Sequence, residues 1–250
     1  MAGKIKGVVF DNDNTIAKIY PDPKIYWRDV FLKVVEECGG RVPEGKEDEY
    51  MLSYYTGKGF IEKLETIGLQ TSWDEFQRIK GVVDERERVA YTKAGKAGLF
   101  PDAVEILNYL DREGIKFAVA TFTTKNVVME AFLQKPDVPR PQGFFDWNDS
   151  LRLKLEKPNP KIAEIVLEQI GLKAEETAMV GDRLTDVMMG NLAGMTTFLV
   201  KRAGEDGPEL VETLEKEIED ARFDPESHIK VPDYQITSLT EIIPVLEGRK

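Results

Sequence analysis

Apolar residues follow two rhythms along this chain. Short unbroken runs stand at Val8-Val9-Phe10, Phe117-Ala118-Val119-Ala120 and Ala178-Met179-Val180. Runs of that length suit strands buried on both faces, as in a parallel sheet. Elsewhere the spacing is helical. One such stretch is Pro101–Leu110, closed by Gly114, with Asp102 placed to cap it and Glu105 three residues on. Another is Lys161–Ile170, where the prolines on either side of Asn159 suit a helix start near Pro160. Between the first two runs, helical spacing marks Tyr26–Glu37, Glu47–Ile67 and Trp73–Tyr91. Ser72 and Glu75 form a capping box there, and Gly39-Gly40 and Gly57-Lys58-Gly59 separate helices. Towards the end, Pro208–Arg222 reads as a charged surface helix and Val231–Thr237 as an edge strand, with Ser238-Leu239-Thr240-Glu241 opening a last helix. The pattern predicts an α/β fold: a doubly wound parallel sheet with helices on both faces. Residues 1–16 and 99–250 would form the core, and 17–98 an inserted helical domain.

The strand ends carry the polar residues of interest. Asp11-Asn12-Asp13-Asn14-Thr15 stops the first run at two carboxylates, whose spacing tends to point both the same way. Two such groups repel unless a cation lies between them, so the pair suits a metal site or an acid–base pair with divided roles. An ordinary Asx-rich turn has the same composition. Thr121 ends the second run, where a threonine often just caps the next helix. Lys157 precedes Pro158-Asn159-Pro160, a stiff turn that presents a constant charge. The third run ends in Gly181-Asp182, with Asp186 four residues later at a helix start. Gly181 permits a tight backbone path, Asp182 is free to face a cation, and Asp186 is favoured by the helix dipole. Open α/β sheets put their ligands at the carboxyl ends of strands, where all of these fall.

Taken in order, the four segments resemble the haloacid dehalogenase superfamily. Its pattern is an apolar strand with D-x-D-x-T, a strand ending in Thr or Ser, a Lys, then G-D-x-x-x-D. Lesser landmarks agree: Leu99-Phe100-Pro101, Gly143-Phe144-Phe145-Asp146 and Asn191-Leu192-Ala193-Gly194-Met195. The likeness spans residues 1–16 and most of 99–200, with an echo in Asp233–Leu246. It implies Asp11 as nucleophile and Asp13 as general acid, then general base. Thr121 and Lys157 would hold the phosphoryl oxygens, helped by backbone N–H groups of Asn12, Asp13 and Phe122. Mg²⁺ would bind Asp11, the Asp13 carbonyl and Asp182. Asp186 would orient Lys157 or a metal-bound water, and Thr15 would brace the loop. Asn14 replaces the usual Gly, and Asn tolerates a left-handed backbone. The insertion is placed like the helical cap of the phosphoglycolate-phosphatase-like members, with Tyr54, Tyr55 and Lys58 as candidate substrate contacts. Residues of those types at helix ends are more often plain surface.

A carboxylate at 13 favours phosphoryl transfer over dehalogenation, because a halide leaves without a proton. The expected activity is Mg²⁺-dependent hydrolysis of a small phosphomonoester, with a small phosphorylated metabolite as partner, through an aspartyl-phosphate. The alternatives are a phosphomutase of the same fold and, from another class, a response-regulator-like phosphoacceptor. The remaining composition only bounds this picture. A net charge of −11 opposes nucleic-acid binding. The single Cys38 excludes an internal disulfide, and the single His228 makes histidine catalysis unexpected. No apolar run reaches membrane length and no leader is evident, so a cytoplasmic monomer or homodimer is expected.

Overall fold

The computed structural model describes residues 5–18, 23–56, 59–202 and 228–249. The helix expected over 208–222 lies outside them. The chain divides into two compact units, Met1–Lys18 with Gly98–Lys250, and Ile19–Ala97.

Among the described residues the first unit is built on six parallel strands. In chain order they are β1 (Gly7–Phe10), β4 (Lys116–Ala120), β5 (Gly143–Phe145), β6 (Thr177–Gly181), β7 (Thr196–Val200) and β8 (Tyr234–Ile236). Their spatial order is β5-β4-β1-β6-β7-β8. The chain therefore builds outward from β1 in one direction and then in the other, which makes β1 the switch point. Alternation along each strand feeds two cores. Val8, Phe10, Phe117, Val119 and Val180 pack against Ile106 and Leu110 of helix α5 (Pro101–Arg112). Val9, Ala118, Ala120 and Met179 face Ile162, Val166 and Ile170 of α8 (Lys161–Ile170) instead. A short antiparallel ribbon, β2 (Ala17–Lys18) with β3 (Gly98–Leu99), also belongs to this unit.

Asp102 does not cap α5. The chain enters that helix through Phe100 with Pro101 in its first turn, and no side chain caps it. The Asp102 carboxylate instead accepts from Arg202 Nη1 through both of its oxygens, and from the Leu239 N–H. Burial alone would raise its pKa, but the Leu239 amide and Arg202 outweigh it and hold the carboxyl below its usual range. A helical turn opens after Ser238 as expected, with the Glu241 carboxylate accepting the Ser238 N–H at 2.8 Å.

Among the described residues the second unit holds four helices: α1 (Pro23–Glu37), α2 (Glu47–Thr56), α3 (Phe60–Glu65) and α4 (Trp73–Lys93). Its interior joins aliphatic residues such as Val34, Leu64 and Val83 to an aromatic cluster. Phe31, Tyr54, Phe60 and Phe76 contact one another, with Phe60 and Phe76 edge to face at 4.9 Å. Only half of the expected capping box forms. Ser72 Oγ accepts the Glu75 N–H at 3.2 Å, but the Glu75 carboxylate takes two bonds from Arg78 one turn on. A two-point charged fork outcompetes a single backbone amide.

Candidate active site

Register brings the candidate residues to one sheet edge. Phe10 pairs with Val119 on one side and Val180 on the other, so the residues just past β1, β4 and β6 stand side by side. These are Asp11, Thr121 and Asp182. The Asp11 N–H donates to the Val180 carbonyl at 2.9 Å and the Thr121 N–H to Phe145 at 2.9 Å, which fixes both backbones.

Lys157 ties the edge together. Its Nζ lies 2.6 Å from Asp11 Oδ1 and 2.6 Å from Asp186 Oδ1, with only 5% of its side chain exposed. Burial would lower its pKa, yet the two carboxylates outweigh this and keep it firmly protonated. The other Asp186 oxygen accepts the Arg183 N–H at 3.2 Å, capping helix α9 (Leu184–Ala193). Asp186 thus joins its capping role to a hold on Lys157. Gly181 is what admits it: a Cβ there would lie 2.4 Å from the Asp186 side chain.

The first loop is wound around one carbonyl. Asn12 C=O accepts N–H bonds from Thr15, Ile16 and Ala17 at 3.3, 3.1 and 3.0 Å. Asn14 takes a left-handed φ of 54°, as its residue type allows. Thr15 braces this loop through its backbone, for its buried hydroxyl has no hydrogen-bond partner. Asp13 Oδ1 accepts bonds from Asn12 Nδ2 at 2.9 Å and Thr123 Oγ1 at 2.5 Å. Thr123 in turn donates its N–H to Thr121 Oγ1 at 3.1 Å. The Phe122 ring lies with its centroid 5.7 Å from Lys157 Nζ.

Asp11, Asp182 and Asp186 can each offer an oxygen within 4.8 Å of the others. Lys157 pairs with two of these carboxylates, and Arg183 offsets the charge of Asp182 only in part. Burial pushes Asp11 up to about 7, aided by Asp186 and Asp13 and opposed by Lys157. Asp182 is raised for the same first reason, with Asp11 and Asp186 adding to it. An excess of buried negative charge on hard oxygen donors fits a divalent cation.

The candidates in the helical unit fare differently. The Tyr54 ring stacks on Trp73 at 5.6 Å within the aromatic core, and its hydroxyl and Gln77 Nε2 lie 3.3 Å apart. Lys58 and the side chains of Tyr55 and His228 lie outside what is described. Sequence reasoning passed over two residues, Thr123 and Arg202. Each was marked by the same signal as the others, a polar group just beyond a buried strand.

Carboxylates just past the central strands of an open parallel sheet, bridged by a buried lysine from the loop before α8, suit phosphoryl-transfer chemistry. A family description, haloacid dehalogenase-like hydrolase, matches residues 5–194, and a second HAD hydrolase-like one matches 155–241. The chain belongs to this family, and the response-regulator alternative gives way to it. It is 30% identical over 164 residues to the pyrophosphatase PpaX of Halalkalibacterium halodurans, covering 62% of this chain and 74% of that one. It is 26% identical over 254 positions to the glyceraldehyde 3-phosphate phosphatase of Methanopyrus kandleri, covering 97% of each. A HAD phosphatase from Thermococcus onnurineus shares the fold, with a TM-score of 0.61 at 22% identity over 98% of this chain and 99% of that one. No helix among the described residues is long and apolar enough to cross a membrane.

Proposed function

We propose that this chain is a Mg²⁺-dependent phosphatase of small phosphomonoesters, with Ile19–Ala97 as a helical cap of the phosphoglycolate-phosphatase-like kind. The observation that carries this reading is the Lys157 ammonium, 2.6 Å from both Asp11 and Asp186. It sets one buried cation between a carboxylate just past β1 and another in the first turn of α9, which a purely structural strand end does not need.

In this reading an Asp11 oxygen attacks phosphorus while the bond to the leaving oxygen breaks. Asp13 gives its proton to that oxygen, then takes one from the water that attacks the aspartyl-phosphate. Inorganic phosphate leaves and the Asp11 carboxylate is restored. The Thr123 hydroxyl keeps the Asp13 carboxylate turned to one side. Lys157, Thr121 and the N–H groups of Asn12 and Phe122 neutralise and orient the phosphoryl oxygens. Asp11 and Asp182, with the Asp13 carbonyl, would hold Mg²⁺, which supplies positive charge to the phosphoryl group. Asp186 acts through Lys157. The relatives named for pyrophosphate and triose-phosphate hydrolysis support a small, highly charged substrate.

The test is phosphate release from a panel of small esters, with and without Mg²⁺, by wild type and Asp11→Asn. Release is expected to need Mg²⁺ and to fall by at least about 10³-fold in the variant. An active Asp11→Asn protein would sink the nucleophile assignment. Return of phosphate to a second substrate oxygen, rather than to water, would make the protein a mutase.

A further inference from the structure

We propose that Arg202, just beyond β7, is a positioning residue that holds the Asp11–Asp13 loop in its working shape. This deepens the phosphatase reading and rests on it. Arg202 is one of few charged side chains buried in the sheet unit, with 9% exposed. Its Nε donates to the Asn14 carbonyl at 2.9 Å and the Thr15 carbonyl at 3.2 Å. Nη2 donates to the same Thr15 carbonyl in a short bond. On its other edge Nη1 donates to both oxygens of Asp102, at 3.1 Å each. The Asp102 carboxylate is itself held by the Leu239 N–H at 2.8 Å and the Ser238 hydroxyl at 3.2 Å. The face of the guanidinium lies 3.8 Å from the Phe100 ring centroid.

Arg202 therefore bolts the loop to two fixed elements, the start of α5 and the C-terminal turn. The loop cannot yield locally. Residues 15, 16 and 17 all bond the Asn12 carbonyl, and the Asn14 N–H donates to Ala17 at 2.9 Å. A shift at 14 or 15 must pass to Asn12 and Asp13, and so to the acid–base carboxylate and the Asp13 carbonyl. The Phe100 N–H donates to the Ile16 carbonyl at 3.0 Å, so the ribbon of β2 and β3 shares the same anchor. Only a planar fork reaches two carbonyls on one side and a carboxylate on the other. A lysine keeps the charge and loses that geometry.

The loop governs the reacting groups more than ester binding, so its loosening acts on turnover. The experiment compares the full-length wild type, Arg202→Met, Arg202→Lys and Leu246→Ala with p-nitrophenyl phosphate and Mg²⁺. Leu246→Ala is a buried C-terminal truncation that weakens the same core away from the loop. Amide hydrogen exchange is read in parallel. Arg202→Met is expected to lower kcat about 10- to 100-fold and to change KM by less than about threefold. Arg202→Lys should fall between it and wild type. Leu246→Ala should keep kcat well below its melting temperature. In Arg202→Met the Thr15, Ile16 and Ala17 amides should exchange faster, with Met179–Gly181 still protected. Wild-type kcat in folded Arg202→Met, or a loss no larger than that of Leu246→Ala, overturns the proposal. Should Arg202→Met fail to fold, wild-type kcat and exchange in Arg202→Lys overturn it equally. If the wild type hydrolyses no ester, the phosphatase reading fails, and exchange at 15–17 alone decides whether the clamp exists.

Discussion

The sheet unit and the helical unit spend their polar residues in opposite ways. In the sheet unit, buried charge collects where strands end: Asp11, Asp186, Lys157 and Arg202. In the helical unit aliphatic and aromatic residues share the interior, and the buried Arg88 serves packing. It lies 5.9 and 5.3 Å from the ring centroids of Tyr26 and Trp27, and its Nε donates to Asp84, which also accepts the Tyr26 hydroxyl. Under the phosphatase reading, charge buried in the first unit holds the reacting groups, whereas charge buried in the second closes a helix pair. On that reading one unit sets the reaction and the other sets which ester enters.

The sharpest way to break that division is at Lys157. Replacement by Met leaves Asp11 and Asp186 without their shared cation, an arrangement that is costly when buried. Under the phosphatase reading kcat should fall by at least about 10³-fold even at saturating Mg²⁺. A fall in substrate affinity alone would mean that Lys157 binds ester without assisting the reaction. Circular dichroism on the same sample separates loss of turnover from loss of fold.

Most of the sheet edge was legible because strand-end chemistry is local. An unbroken apolar run followed by Asp, Thr or Gly-Asp specifies both the strand and where its last side chain emerges. The Asp102–Arg202 pair was not legible, for its partners lie far apart in sequence and meet only through sheet order. Asp102 looked like a cap because the first-turn position suits acids, and a guanidinium claimed it instead. Tyr54 shows the limit in the helical unit. Sequence offered Tyr54 as a substrate contact or plain helix-end surface, and said nothing of the half-buried packing of its ring among Phe31, Phe60, Trp73 and Phe76. Helix-end composition fixes neither the packing of a short helix nor its facing partner.

Packing in the helical unit gives the next test. Phe76 is fully buried in contact with Phe31, Tyr54 and Phe60. Phe76→Ala should cost about 3–5 kcal/mol, through lost burial and the cavity left behind. If the two units divide selection from chemistry, this variant should alter KM across the ester panel while its Mg²⁺ dependence stays that of wild type. Equal loss of kcat for every ester would tie the helical unit directly to the reaction.

The units should also differ in the sign of their pH dependence. Asp11 lies at about 7 against an ordinary 3.8, first because it is buried. Below about 4 it is neutral whether folded or not, and costs nothing. Above its ordinary value the unfolded chain ionises it first, so the metal-free protein loses stability as pH rises to about 7. Asp182 is raised too and acts in the same direction. Glu87 in the helical unit is the opposite case. Burial would raise it, but Lys33 at 2.5 Å outweighs this and lowers it from 4.5. Its contribution is present above about that pH and is lost as pH falls through the lowered value. Metal-free wild type should therefore melt several degrees lower at pH 8 than at pH 5.5, a window in which Asp11 titrates and Glu87 stays ionised. Asp11→Asn should flatten that difference, and Mg²⁺ should raise the wild-type melting point more at pH 8, where cation and proton no longer compete. A metal-free melting point that is the same at both pH values would mean that the strand-end carboxylates carry no net charge strain. The excess negative charge that favours a cation there would then lose its support.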